Sequence, residues 1–227
     1  MLRIYRTGKN TRKLSRADLA HCLLNKETGS TTVAATMIIA DLAGIKIFAT
    51  GGIGGVHKFA EKTFDISADL QELAKTGISV VCAGPKAILD IPKTLEVLET
   101  LGVPVITFGQ TNLPAFWSSD SPYISPLSLN DPCLIAKSHE MRKELGLSGG
   151  QLIANPISKK DQIPFEKMEP IIMDAVKSAN EQNIITKELT PFVLSRINDL
   201  TKGKSLLANI ALIKSNAKLA SQIALCF

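Results

Sequence analysis

Three times in succession the chain sets an apolar helical stretch, a glycine, a short β-branched run and a further glycine end to end. The helical stretches cover residues 30–43, 68–76 and 93–101, and the runs behind them cover 45–50, 78–83 and 103–108. Gly44, Gly77 and Gly102 stand between helix and run, where the residue after a helix commonly takes a positive φ that glycine adopts without strain. Each run is nearly continuous in apolarity, which marks a strand covered on both faces. Helices alternating with such strands predict an α/β fold, a mainly parallel sheet flanked by helices in αβα layers.

Outside those units the signals are weaker. Residues 112–130 are rich in Pro, Ser and Asn around the lone Trp117, and read as a long connection that serves as a lid or a subunit contact. A helix over 132–145 and a short strand over 151–154 follow, and the C-terminal third reads as helical over 168–180, 191–201 and 205–225. The chain reaches its first helix without a clear strand–helix unit, so the N-terminal portion of the fold reads as incomplete. With 227 residues, 45% of them hydrophobic and only 5% aromatic, the expectation is one domain over residues 1–227 with an aliphatic core.

The formal charge of +5 admits nucleic acid, an anionic membrane or a phosphorylated small molecule as partner. Lysines are scattered over many elements, and the densest clusters are Lys9, Arg12, Lys13 and Arg16, then Lys159 with Lys160, then Lys202 with Lys204. No basic stripe is interleaved with aromatics, so the reading is no nucleic acid, and a few lysines around one phosphate. The longest apolar stretch, 33–43, is broken by Thr36 and Asp41 and is too short for a bilayer. Cys22, Cys82, Cys133 and Cys226 share no short spacing, and no signal peptide opens the chain. The expectation is a reduced, cytoplasmic protein with free thiols.

In parallel sheets ligands gather beyond the carboxyl ends of the strands, here residues 50–57, 83–86 and 108–110. The first of these segments is a glycine-rich loop whose backbone N–H groups can approach an anion. It does not meet the dinucleotide fingerprint, since the third glycine position counted from Gly52 is His57, and no Gly-Lys-Ser/Thr follows. A structural turn explains it equally well. Asp65 is an N-cap candidate for the next helix. Asp65 and Asp69, four residues apart, would share a helix face unfavourably unless a cation or a hydroxylated ligand sits beside them, and Glu61 adds a third acid nearby. Lys86 closes the turn after the second strand, where a desolvated amine can attack a carbonyl or sugar carbon; a lysine there can equally bind phosphate or face solvent. His57 and Asn209 fit a site or a core hydrogen bond.

Residues 51–58, 61–70 and 80–90 together resemble the pseudouridine-5′-phosphate glycosidase family, which is related to the indigoidine-synthase-A-like proteins; residues 154–157, 190–192 and 205–210 continue the likeness. The resemblance implies reversible cleavage of a carbon–carbon glycosidic bond, giving uracil and ribose 5-phosphate through a lysine–ribose adduct. It implies Lys86 as the nucleophile and Asp65 as the holder of a divalent metal, typically manganese, largely through water. Lys13, Val33, Ser67, Ala68 and Asp69 fall on substrate-contacting positions, with Thr50, His57 and Asn209 expected near the substrate. The family carries an upstream strand with a glutamate as proton donor, which has no counterpart in this sequence, and it forms homotrimers. A catalytically inactive binder of sugar phosphate is the alternative expectation.

Overall fold

The computed structural model describes residues 11–182, 184 and 189–227; Lys9 of the first basic cluster lies outside them. The strands are β1 (Arg12–Leu14), β2 (Gly29–Thr31), β3 (Ile47–Ala49), β4 (Ser79–Cys82), β5 (Val105–Phe108), β6 (Leu127–Leu129) and β7 (Gln151–Ala154). The helices are α1 (Leu19–Leu24), α2 (Val33–Leu42), α3 (Ala60–Thr63), α4 (Ala68–Lys75), α5 (Ile91–Thr100), α6 (Pro132–Glu144), α7 (Phe165–Glu181), α8 (Leu189–Leu200) and α9 (Lys204–Ala224). Five strands form one sheet in the order β3-β4-β7-β5-β6, parallel throughout. The expected α/β layering is present, and the three sequence units appear as α2–β3, α4–β4 and α5–β5.

Alternation of side chains along the central strands sorts the core into two layers. Val80 and Cys82 of β4, with Leu152 and Ala154 of β7, pack beneath Met37 of α2, Leu70 and Leu73 of α4 and Leu98 of α5. Val81 and Ile153, one residue out of phase, face Ile135 and Ala136 of α6 and Leu219 and Ile223 of α9. Each fully buried Leu or Ile contributes roughly 1.5–3 kcal/mol relative to exposure. A third cluster closes the carboxyl end of the sheet, where Met168, Val193, Ile197 and Leu212 of α7, α8 and α9 meet Ile88, Phe116 and Trp117.

Several local expectations are corrected. Gly44 and Gly102 take φ of +70° and +69°, but Gly77 does not take positive φ; Thr76 leaves α4 in an extended conformation, so no left-handed residue is needed there. β3 is only half-buried because it lies at a sheet edge. The start of the described chain holds a separate two-stranded parallel sheet, β1 with β2, which pairs Lys13 with Ser30. Residues 112–130 are no lid over their whole length: Leu113, Ala115, Phe116 and Trp117 are buried, the Trp117 indole N–H donates to the Ser205 carbonyl, and the stretch ends in β6. Cys22 and Cys82 are free and buried, while Cys133 and Cys226, 93 residues apart, form a disulfide. The packing of α9 against α6 brings these last two together, and no sequence spacing foretells it. Among the described residues no helix is long and apolar enough to cross a membrane.

Candidate functional site

A cleft of about 740 Å³ opens at the carboxyl end of β3 and β4. All ten residues singled out from the sequence line it: Lys13, Val33, Thr50, His57, Asp65, Ser67, Ala68, Asp69, Lys86 and Asn209. The structure thus gathers residues that lie up to 196 positions apart in sequence.

The floor is made by two loops running side by side. The Ile53 N–H donates to the Gly84 carbonyl at 3.3 Å, and the Lys86 N–H donates to the Ile53 carbonyl at 3.0 Å. These bonds hold the Lys86 backbone against the middle of the glycine loop. Glycine is required at Gly54 for close approach, since a Cβ there would collide with the Ser67 hydroxyl. Thr50, at the end of β3, is fixed by its carbonyl, which accepts from the Asn216 amide at 2.8 Å.

Asp69 organises one wall. Its side chain is only 4% exposed, and its two oxygens accept from the Ala34 N–H at 2.9 Å and the Gly54 N–H at 2.8 Å. One carboxylate thereby ties the start of α2 to the glycine loop. The N-cap of α4 is Ser67, whose hydroxyl accepts from the Asp69 N–H. Asp65 lies two residues before that cap, so the expected Asp65 cap is corrected. The shared helix face is corrected as well: Asp69 turns inward, whereas the Asp65 side chain is 38% exposed and sits 3.9 Å from His57 Nδ1. Glu61 pairs with Lys93, which also holds Asp90.

The amine of Lys86 makes no hydrogen bond or ion pair among the described residues. Burial holds its pKa below the ordinary lysine value; the Asp69 carboxylate opposes that shift and the Lys13 ammonium adds to it. His57 is likewise pushed down by burial, against the pull of Asp65, with Lys86 and Lys13 reinforcing the fall. A neutral amine and a neutral imidazole are therefore both favoured in the cleft. The amino ends of α2 and α4 open into it through Thr32, Val33, Ser67 and Ala68, which with Lys13 makes this wall favourable for an anion.

For a divalent cation the donor set is thin: no group of three His, Cys, Asp or Glu side chains able to hold a metal occurs among the described residues. Asp65, partly exposed at the cleft rim, fits an ion held by one carboxylate and otherwise by water, as hard cations with slow dehydration are bound.

Sequence reasoning missed Phe116, Leu194, Ile213 and the hydroxyls of Ser30, Thr31 and Thr36, which also line the cleft. Ser30 and Thr31 carry a faint signal, since with Thr32 they make a Ser-Thr-Thr run before α2, while Thr36 lies within that helix. Phe116 carries none, since it lies in the stretch read as a connection.

The family model for indigoidine synthase A like protein matches residues 1–226. The pseudouridine-5′-phosphate glycosidase of Paracoccus denitrificans (strain Pd 1222) is 63% identical over 212 residues, which cover 93% of this chain and 70% of that protein. The protein of the same name from Roseobacter denitrificans (strain ATCC 33942 / OCh 114) is 59% identical over 217 residues, covering 96% of this chain and 70% of its own length. Among solved structures, the prealnumycin C-glycosynthase AlnA in complex with ribulose 5-phosphate superposes with a TM-score of 0.93 at 32% identity, over 99% of this chain and 74% of that one. An indigoidine synthase A-like protein from Thermotoga maritima gives 0.90 at 31% identity, over 98% of this chain and 73% of that one.

Proposed function

The chain belongs to the indigoidine synthase A-like family, and we propose that it cleaves the carbon–carbon glycosidic bond of pseudouridine 5′-phosphate. The products are uracil and ribose 5-phosphate, and the reaction is reversible. The observation that carries the reading is the unpartnered, part-buried Lys86 amine in an anion-favouring cleft. Relatives 63% and 59% identical bear the name of this activity, and a C-glycosynthase of the same fold was solved with a pentulose phosphate.

A carbon–carbon glycosidic bond gives protonation no leaving nitrogen to act on, so a covalent route through an amine divides one hard step into easier ones. The C1′–O4′ bond breaks as O4′ takes a proton, which opens the ring, and the Lys86 lone pair bonds to C1′ while the nitrogen gives up a proton. That nitrogen then forms a C1′ iminium as the bond to the base breaks; the bonding pair leaves with the base and is protonated to uracil. Water adds to the iminium and frees ribose 5-phosphate and the amine, so one water is consumed overall. Burial favours the neutral amine the first step needs. Lys13 and the amino ends of α2 and α4 bind the phosphate, and Ser67 and Ala68 place the ribose beside Lys86. His57, kept neutral, can pass a proton within reach of Lys86. A manganese ion at Asp65, when bound, supplies charge neutralisation for the phosphate end.

A homotrimer accompanies this reading. The exposed Ile39, Leu42 and Ile45, on the outside of α2 and the turn after it, are apolar surface such an assembly can cover. A phosphorylated substrate also fits a cytoplasmic setting. The test is release of free uracil from pseudouridine 5′-phosphate, followed chromatographically, with Lys86→Met as control. Uracil release that falls at least a thousandfold in the variant is expected. Binding of ribose 5-phosphate with no uracil release by the native chain overturns the reading and leaves a sugar-phosphate binder.

A further inference from the structure

Two buried amides stand behind the cleft without lining it. Asn216 of α9 is fully buried, and Asn155, the residue after β7, is 7% exposed; neither is among the residues that face the cleft. Asn155 belongs to the stretch 154–157 that carries part of the family likeness, and no step of the proposed reaction uses it. The Asn216 Nδ2 donates to the Thr50 carbonyl at 2.8 Å, and the Asn216 Oδ1 accepts from the Asn155 Nδ2 at 3.0 Å. That Nδ2 also donates to the Ser215 hydroxyl at 3.0 Å. The orientation of both amides is forced. The Thr50 carbonyl can only accept, so Asn216 turns its NH2 to it, and the Asn216 oxygen then needs the NH2 of Asn155.

The backbone closes these bonds into a circuit. The Asn155 N–H donates to the Cys82 carbonyl at 2.7 Å, and the Thr50 N–H donates to the Val81 carbonyl at 2.9 Å. Thr50, Val81, Cys82, Asn155 and Asn216 are thereby joined across the ends of β3, β4 and β7 and onto α9. Two loops leave from this circuit, the glycine loop from Thr50 and the turn that carries Lys86 from Cys82. Further on they are laced together: the Ala83 N–H donates to the Gly51 carbonyl at 2.9 Å, and the Lys86 N–H to the Ile53 carbonyl at 3.0 Å. The lacing holds the loops to each other, and the circuit holds their roots to the sheet and to α9. A buried network whose members are all paired rigidifies what it joins, and loss of one member leaves its neighbours unsatisfied.

We propose that Asn155 and Asn216 are a positioning pair, which anchors the roots of both loops and so sets the reach of the Lys86 amine towards C1′ of the substrate. This deepens the function proposed above and rests on it. Neither amide meets the reacting atoms; they act through Thr50 and Cys82. Attack on a carbon needs the amine about 3–3.5 Å away along one direction, and a misplacement of about 1 Å costs on the order of a hundredfold in rate. The phosphate end of the substrate is held by Lys13 and the amino ends of α2 and α4, outside the circuit. Loss of the pair is therefore felt at the reacting carbon and not in substrate affinity.

The test is the rate at which borohydride traps ribose 5-phosphate on Lys86, with kcat and KM for uracil release measured beside it. Asn216→Asp keeps the shape of the side chain but sets a carboxylate oxygen against the Thr50 carbonyl, and Asn155→Asp sets one against the Asn216 oxygen. Each is expected to lower the trapping rate and kcat about a hundredfold, with KM within about twofold of native. Asn216→Ser, which removes the amide without adding charge, carries the same expectation where an aspartate variant does not fold. Leu98→Ala, a truncation in the buried core outside the circuit and the cleft, is the stability control: it is expected to unfold at lower temperature and to trap at the native rate. Circuit variants that trap at the native rate, that raise KM in step with the fall in kcat, or that lose no more rate than Leu98→Ala overturn the proposal. A native protein that traps ribose 5-phosphate on Lys86 but releases no uracil removes the proposed function and leaves the pair standing on the trapping rate alone. One that traps nothing on Lys86 removes both.

Discussion

Replacing Asp69 by asparagine separates its two jobs, holding the wall of the cleft and biasing the charge of Lys86. The native carboxylate accepts two backbone N–H bonds at 2.9 and 2.8 Å while almost wholly buried. An amide offers one oxygen, so one of the two N–H groups faces an NH2 and loses its acceptor. A buried donor left unsatisfied costs about 1–3 kcal/mol, and loss of charge assistance in the surviving bond adds about 1 kcal/mol. The sum is about 2–4 kcal/mol, which for a chain of this size is a fall in melting temperature of roughly 4–16 °C. Thermal unfolding of the native and Asp69→Asn proteins measures it. The second effect is electrostatic. Asp69 holds the Lys86 pKa up against burial, so its removal lets that pKa fall further and frees the amine at lower pH. The acid limb of ribose 5-phosphate adduct formation is therefore expected to move to lower pH. A melting point within about 2 °C of native, or a limb that moves to higher pH, refutes the reasoning.

Arg16 Nη1 contacts both carboxylate oxygens of Glu72, at 2.8 and 2.6 Å, and Glu72 is 1% exposed while Arg16 is half in solvent. Arg16→Ala leaves that buried carboxylate with only the Thr76 hydroxyl, and a loss of roughly 2 kcal/mol in urea unfolding is expected after allowing for solvent screening. Reduction of the Cys133–Cys226 bond, which closes a loop across 93 residues of separation, is expected to lower stability by about 2–4 kcal/mol, with Cys133→Ser matching the reduced native protein. In the native state burial lowers the Lys86 pKa, so the folded protein prefers the neutral amine and stability falls as pH drops through the ordinary lysine value of 10.5 towards the folded one. Lys86→Met removes that slope: it should be at least as stable as native at pH 7, with the difference closing above about pH 10.5.

The frame of the fold was legible because it rests on local signals. Gly44 and Gly102 end helices in the left-handed conformation, and the runs behind them are strands. Gly77 looks the same in sequence but ends its helix differently, since an extended Thr76 serves as well. The small β1–β2 sheet was not legible: three-residue strands such as Arg-Lys-Leu and Gly-Ser-Thr carry no apolar period. The site residues emerged from motif likeness, and all ten fall in one cleft. Their contacts did not emerge. Asp65 and Asp69 have the same spacing whether they share a face or part, and only the turn at Ser67 sends one outward and the other under the glycine loop. Phe116 stayed hidden because a left-handed phenylalanine is imposed by tertiary contacts with Ala83, Gly52 and Trp117, and no local composition announces it. The Cys133–Cys226 pair depends on α9 lying along α6, a contact between distant segments.

The most direct test of Lys86 as the attacking amine is borohydride reduction in the presence of ribose 5-phosphate, followed by peptide mass mapping. A pentose-phosphate mass added on the peptide that contains Lys86, and lost in Lys86→Met, is the expected result. An adduct on Lys13 or another lysine, with the Lys86 peptide unmodified, contradicts it.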